Sequence, residues 1–362
     1  KMKFLCISGS RADKAALIPV AQVTGAEWAF VDTLPSRDQH DSAISCSQAM
    51  MMAADELKRV NPDLVILAGD RFEILGAATA AHLMGIPIAH LSGGDITEGS
   101  QDDAMRHAIT KLAALHFPTN QESADRLLAM GEEKWRIHMV GAPQIDYLLR
   151  QELYSEEETN RLLGTHSQFI LVAYQPPTMQ PDTIEFDELL LMLRAEGLPC
   201  VFTTVNTDAG GIEIARKLAK FCLSGVHSMQ KMDHKLFLSV MKHCNYMIGN
   251  SSSGYYEAPT LGTKFVNIGT RQAGRKPVTG DGKAAERIKV TLDAMMTLPR
   301  HRLLQKKWGT ACHSTPIGNE STAIANGAAT PKKNWFDGQQ AANGMQAYLT
   351  SDQAKGQALG SL

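Results

Sequence analysis

Short unbroken apolar runs alternate along this chain with longer segments whose apolar residues recur every three or four positions. A short apolar run bounded by turn residues reads as a buried strand, and the i, i+3, i+4 spacing marks one face of a helix. "KFLCISGS" reads as a strand and turn, followed by the helix "DKAALIPVAQ". "AEWAFVDT" is a second strand and "DSAISCSQAMMMAADELKRV" a helix. "PDLVILAGDR" is a strand ending in a turn, "EILGAATAAHLMG" a helix closed by glycine, and "IPIAHLSGG" a further strand. "DDAMRHAITKLAAL" reads as a helix with Met105, Ile109 and Leu112 on one face. "LHFPTN" and "IHMVGAP" are short strands. The alternation then restarts. "SQFILVAYQPP", "LPCVFTTVN", "NYMIGNSSSG" and "TKFVNIGTRQAGR" carry strands, and "DTIEFDELLLMLRAEG", "GIEIARKLAKFC" and "HKLFLSVMKHC" are helices. Such alternation predicts α/β architecture, with parallel sheets covered by helices on both faces. We expect two doubly wound domains, residues 1–155 and 156–330. A ligand cleft would lie between them at the carboxyl ends of the strands. Residues 331–362 are polar and rich in Gly, Ala and Gln, and we expect a partly helical tail.

Composition narrows the function classes. The chain has 362 residues, 44% hydrophobic and 20% charged, with a net charge of −2. That balance does not mark a nucleic-acid binder or an anionic-membrane binder. No apolar run is long enough to span a bilayer. "KMKFLCISGS" reads as a strand and turn and lacks a cleavage region. The six cysteines are scattered without a CxxC pair. We therefore expect a reducing, cytoplasmic setting and no zinc site.

Five motifs follow predicted strands. In "SGSRAD", Arg11 stands at a helix mouth, where guanidinium and free N–H groups suit a phosphate; the bland alternative is a surface charge. In "AGDRFE", Asp70 closes an apolar strand, where a carboxylate needs a partner. Arg71, a helix N-terminus or a capping role could supply one. "HLSGGDITEGSQDDAMRH", residues 90–107, packs Asp95, Glu98, Asp102 and Asp103 beside a glycine turn, followed by Arg106 and His107. Acids at a helix start are favoured by the helix dipole alone. Asp103 and His107, however, lie one turn apart, and an imidazole beside carboxylates is a candidate proton carrier. In "GNSSSGYYEAP", Ser252, Ser253 and Gly254 open a helix as an anion nest, with Glu257 one turn on to accept from ribose hydroxyls. "NIGTRQAGR" places Arg271 and Arg275 in a glycine loop, as a clamp for phosphate or a base edge.

In this order the motifs resemble the UDP-N-acetylglucosamine 2-epimerase family, and more closely its hydrolysing, sialic-acid-pathway branch. "GSRAD", "GDRFEILGAATAAHLMGIPIAHLSGG", "TEGSQDDAMRHAITKLAALHF", "VGAPQID", "GNSSSGYYEAP" and "NIGTRQAGR" match the family's runs. "VNTDAGG" is similar to its PNxDAG through Asn206 and Asp208, and "TPIGNES" is a faint echo of NPYGxG. The resemblance implies two Rossmann-like domains in a GT-B-like arrangement with a UDP-sugar in the cleft. It implies a catalytic set of Asp70, Asp95, Asp103, Arg106 and His107. The substrate- and nucleotide-binding set it implies is Arg11, Gln175, Asn206, Asp208, Ser252, Ser253, Gly254, Glu257 and Arg271. The implied chemistry converts UDP-GlcNAc, or a close UDP-HexNAc, and water to a ManNAc-type sugar and UDP through a glycal. No metal or redox cofactor is implied, and a homodimer or homotetramer is. Three departures stand out. The family's GGE is "GGD" here, shortening the acid at Asp95 by one methylene. Gln175 in "YQPPT" occupies the place of a histidine, and the segment before "SCSQAM" is shorter. Two other readings stay open: a nucleotide-sugar-binding protein with altered or lost turnover, and a glycosyltransferase on the same scaffold.

Overall fold

The structure, a computed structural model, describes residues 2–9, 11–31, 33, 39–164, 168–177, 179, 184–205, 210–223 and 228–307, leaving aside the side chains of Arg11 and Ala12. Asn206, Asp208, "TPIGNES" and the 331–362 tail lie outside the described residues, as does the Arg11 side chain.

The first half runs β1 (Phe4–Ser8), α1 (Arg11–Thr24), β2 (Glu27–Phe30), α2 (Gln39–Val60), β3 (Leu64–Ala68), α3 (Phe72–Leu83), β4 (Ile88–Leu91), α4 (Asp102–Leu112), β5 (Leu115–Phe117) and α5 (Gln121–Ala129). α6 (Pro143–Leu149) and α7 (Glu156–Leu163) lead into the second half. There follow β6 (Ile170–Ala173), α8 (Ile184–Glu196), β7 (Cys200–Thr203), α9 (Gly211–Cys222), β8 (Ser228–Gln230), α10 (His234–His243), β9 (Tyr246–Gly249), α11 (Ser253–Leu261) and β10 (Phe265–Asn267). α12 (Ala284–Met295) and α13 (Arg300–Leu304) close the described chain.

Among the described residues two five-stranded sheets form, in the orders β2-β1-β3-β4-β5 and β10-β9-β6-β7-β8. Every strand pair is parallel. β1, β3, β4, β5, β6, β7 and β9 are buried, as their unbroken apolar runs require, while the edge strands β2, β8 and β10 are partly exposed. In the first sheet Phe4, Cys6, Leu64 and Ile66 pack with Leu17 and Val20 of α1, while Leu5, Ile7, Val65 and Leu67 pack with α2 and α3. α2 buries Ser45, Ala49, Ala53, Leu57 and Val60, a stripe of mostly small residues. The alanines of α3 face it, so these two helices approach closely. The second sheet is covered in the same way by α8 and α9 on one face, and by α7, α10 and α11 on the other.

The strand orders place the site. In the first sheet the order reverses between β1 and β3; in the second it reverses between β6 and β9. Ligands in open α/β sheets bind beyond the carboxyl ends of strands at such switch points. Arg11, Asp70, Gln175 and Asn250 all follow those four strands. This is the GT-B-like arrangement implied by the resemblance.

Several elements differ from the sequence reading. "IHMVGAP" forms an isolated bridge, His116 to Ile137, rather than a strand, with the His138 and Val140 amides donating to the carbonyls of His116 and Pro118. β8, "SMQ", is a short polar edge strand with no hydrophobic signature. α12 and α13 pack on the first sheet rather than the second: Ala285, Ile288, Leu292 and Leu303 are buried in the core around Phe4 and Leu17. The stretch assigned to the second domain thus returns to the first half after residue 283. Among the described residues no helix is long and apolar enough to cross a membrane.

Candidate active site

Arg106 is the centre of the first half's site. It is only 2% exposed, yet it is a guanidinium. The buried face of α4 carries Arg106, Ile109 and Thr110; Met105 and Leu112 of the expected stripe are half-buried. A buried cation is tolerated only when its donors are matched. Nη1 donates to the Asp95 carbonyl at 2.9 Å and to Asp103 Oδ1 at 3.0 Å. Nη2 donates to Asp70 Oδ2 and, at 2.8 Å, to Thr97 Oγ1. Burial pulls the Arg106 pKa down to about 9, which leaves it cationic at neutral pH. The partner of Asp70 is therefore Arg106, from a different element, and not Arg71. Arg71 instead holds Glu73 at 3.2 Å.

Asp103 also accepts from the Thr97 amide at 2.5 Å, and its other oxygen lies 3.6 Å from His107 Nε2. Burial lowers the His107 pKa, with Asp103 opposing that shift. The imidazole is thus kept neutral at pH 7, the form that accepts a proton. Asp95 is differently placed. Its Oδ1 accepts from Thr119 Oγ1 at 3.0 Å and Ser123 Oγ at 2.7 Å, and its Oδ2 from Tyr256 Oη at 2.5 Å. Both of its oxygens are engaged, and it is 8% exposed.

The second half brings the serine turn. β9 ends at Gly249, and Asn250 then clips the end of β6. Its side chain accepts from the Gln175 amide at 2.7 Å and donates to the Gln175 carbonyl at 2.8 Å. Gln175 is nearly buried, and its side-chain amide points to the Thr204 carbonyl at 3.4 Å. Ser251 Oγ receives the Ser253 amide at 3.3 Å, and Ser252 makes no capping bond with its side chain. Gly254 has a packing reason as well: a Cβ there would stand 2.4 Å from the Phe265 ring. Arg271 donates to the Asn250 carbonyl at 3.3 Å and is 9% exposed. The nest and its arginine are therefore brought together.

Glu257 follows the nest and is 8% exposed. Among the described residues no cation forms an ion pair with it. Burial lifts its carboxyl to about 7, with Arg275 pulling the other way. An acid whose folded pKa lies above its unfolded value destabilises the fold progressively as pH rises through that interval. In the ligand-free protein, Glu257→Gln should change stability little at pH 5 and raise it by about 3 kcal/mol at pH 8. Urea unfolding at the two pH values measures this; an equal change at both would show that no strained carboxylate is present.

The halves meet across the site. The Glu98 amide donates to the Ala273 carbonyl at 3.1 Å. Gly99 lies so close that a Cβ would meet the Thr270 carbonyl oxygen at 1.8 Å. Two side chains that the sequence did not single out lie here, Thr97 and Tyr256, and Arg275, expected as a phosphate or base-edge clamp, is turned toward them. Arg275 donates to Tyr256 Oη at 2.8 Å and to Thr97 Oγ1 at 2.9 Å. Helical spacing held a signal for Tyr256, which sits one turn after Ser252. Thr97 held none beyond its place between the acids. Among the described residues no cluster of His, Cys, Asp and Glu is arranged to hold a metal.

A family model described as UDP-N-acetylglucosamine 2-epimerase matches residues 5–298. A GDP/UDP-N,N'-diacetylbacillosamine 2-epimerase (hydrolyzing) of Campylobacter jejuni is 32% identical over 261 residues, covering 69% of this chain and 68% of that protein. A UDP-N,N'-diacetylbacillosamine 2-epimerase (hydrolyzing) of Legionella pneumophila is 29% identical over 312 residues, covering 84% and 81%. The fold is similar to that of UDP-GlcNAc 2-epimerase from Neisseria meningitidis, solved bound to UDP-GlcNAc. The TM-score is 0.62 at 18% identity, covering 84% of this chain and 94% of that one. With its motifs, its two facing sheets and a family model spanning most of its length, this chain belongs to the UDP-N-acetylglucosamine 2-epimerase family.

Proposed function

We propose that this chain is a hydrolysing nucleotide-sugar 2-epimerase acting on a UDP-2-acetamido sugar. The substrate is UDP-GlcNAc or a close UDP-HexNAc, and the products are a ManNAc-type sugar and UDP. The observation that supports this reading is the cluster of Asp70, Arg106, Asp103 and His107, which Arg275 joins to Tyr256 of α11. In this reading a base takes the C2 proton. The C1–O bond breaks, its electron pair leaves with UDP, and a glycal with a C1=C2 double bond remains. Water then adds: a proton reaches C2 from the opposite face and the hydroxyl goes to C1. Neutral His107 and the Asp70 and Asp103 carboxylates supply proton-transfer groups. The α11 amides and Arg271 face the charge that develops on the leaving diphosphate. Gln175 can donate and accept a hydrogen bond but transfers no proton at neutral pH, so no proton step is assigned to it.

The names of the C. jejuni and L. pneumophila relatives widen the sugar class to UDP-N,N'-diacetylbacillosamine. If ManNAc is the product, the enzyme serves sialic-acid synthesis. The setting we propose is cytoplasmic, supported by the free cysteines Cys6, Cys46, Cys222 and Cys244. A homodimer or homotetramer is supported by the family resemblance. NMR in D₂O with each UDP-sugar tests the activity. Free UDP and a sugar deuterated at C2 are the expected products. Release of the 2-epimeric UDP-sugar would indicate a non-hydrolysing enzyme, and intact substrate despite binding would overturn turnover altogether.

A further inference from the structure

Two side chains of the second half end inside the acid cluster of the first. The Tyr256 ring packs against Ala142, Ile145 and Val278. Its hydroxyl donates to Asp95 Oδ2 at 2.5 Å, across 161 residues of sequence. It accepts from Arg275 Nη1 at 2.8 Å. Arg275 Nη2 donates to Thr97 Oγ1 at 2.9 Å and lies 3.8 Å from Asp70 Oδ2. Thr97 closes the circuit: its hydroxyl also accepts from Arg106, and its amide donates to Asp103.

We propose that Tyr256 and Arg275 are positioning residues for the epimerase reaction. They tie α11, which carries the nucleotide site, to Asp70, Asp95 and Asp103, so the second half completes the hold that Arg106, Thr97, Thr119 and Ser123 already have on the acid cluster. This rests on the nucleotide-sugar reading of the site. The geometry assigns each group a part. Asp95, with both oxygens occupied by hydroxyl donors, is the fixed anchor of the tie rather than a free acid or base. Asp70 stands between two guanidinium groups, which restrict it to one orientation. Tyr256 is a hydroxyl bridge and not a proton source, since burial raises its phenol pKa further. A site held by such second contacts loses turnover when they are loosened, even with the reacting groups intact.

Tyr256→Phe keeps the ring packing and removes only the hydroxyl, and Arg275→Met and Arg275→Lys grade the loss of the guanidinium. UDP release gives kcat and KM, and calorimetry gives UDP affinity. Tyr256→Phe should lower kcat about tenfold, the scale of one hydrogen bond, with KM and UDP affinity within about twofold. Arg275→Met should lower kcat about 10²-fold, and Arg275→Lys should recover part of that loss. Unchanged kcat in Tyr256→Phe and Arg275→Met would overturn the proposal. So would UDP affinity that falls in step with kcat/KM, because the residues would then be nucleotide ligands. If the wild type turns over no UDP-2-acetamido sugar, the functional reading fails separately. The tie itself is then judged by urea unfolding of Tyr256→Phe, Asp95→Asn and the double variant. Coupling above about threefold in the unfolding constant supports it, and additivity overturns it.

Discussion

Asp70→Asn and Asp103→Asn are each expected to lower UDP release by about 10²-fold or more, roughly 2.7 kcal/mol of barrier, the scale of losing a group in general acid–base catalysis. UDP affinity should stay within about twofold, because both carboxylates belong to the first half and the serine turn to the second. The amide oxygen of Asn can still accept from Arg106, so the buried guanidinium keeps its partners and the fold survives. Steady-state release of UDP, calorimetry with UDP and a melting curve separate the outcomes. If turnover, UDP affinity and melting temperature all fell together, the two acids would be structural partners of Arg106, and the catalytic assignment would be lost.

Arg136→Ala should have the largest effect on stability. Arg136 is 0% exposed and staples the returning chain to the first half. Nη1 donates to the carbonyls of Ala114 and Leu303 at 3.0 and 2.7 Å. Nη2 donates to those of Arg302 and Gln305 at 3.2 and 2.6 Å, and Nε pairs with Glu133 at 2.8 Å. Removing the side chain leaves buried carbonyls without donors. Alanine should therefore destabilise the protein by about 3–5 kcal/mol, the range for breaking a buried charged network. A melting temperature about 5 °C lower follows for a chain of this size. Arg136→Lys should fall between, because one ammonium cannot reach all four carbonyls. A melting temperature within about 1 °C of wild type for Arg136→Ala would show that α13 is held by other contacts. Lys306 is the nearest candidate: its amine reaches the carbonyls of Thr110 and Ala113 at 3.0 and 2.8 Å and pairs with Glu132.

The two halves of the site were unequally legible. The serine turn announced itself, because a strand end followed by "SSSG" has few other uses, and Ser252, Ser253, Gly254 and Arg271 are gathered there. The acids announced themselves as a group but not as individuals. Asp70 was left with three candidate partners, and the one it takes, Arg106, lies 36 positions away. Asp95 read like its neighbours, yet three hydroxyls occupy it. Two of these, from Thr119 just before α5 and Ser123 in its first turn, come from a segment that carries no chemical signature.

By itself the sequence determined the architecture class and the strand ends that carry the chemistry. Both follow from local rules: apolar run length sets the strands, helical periodicity sets their covers, and turn residues mark where a strand stops. Strand order, the return of residues 284–304 to the first sheet, and the choice of partner within the acid cluster were decided by the tertiary structure alone. Each depends on which buried surfaces and buried charges find complements far along the chain. Arg106 must satisfy its donors wherever carboxylates and carbonyls come within reach, and Arg136 must do the same with the ends of α13. Tyr256 meets Asp95 only because the second sheet presents α11 to the end of β4. Periodicity shows which residues are buried, but the identity of a buried partner is a property of the packed chain.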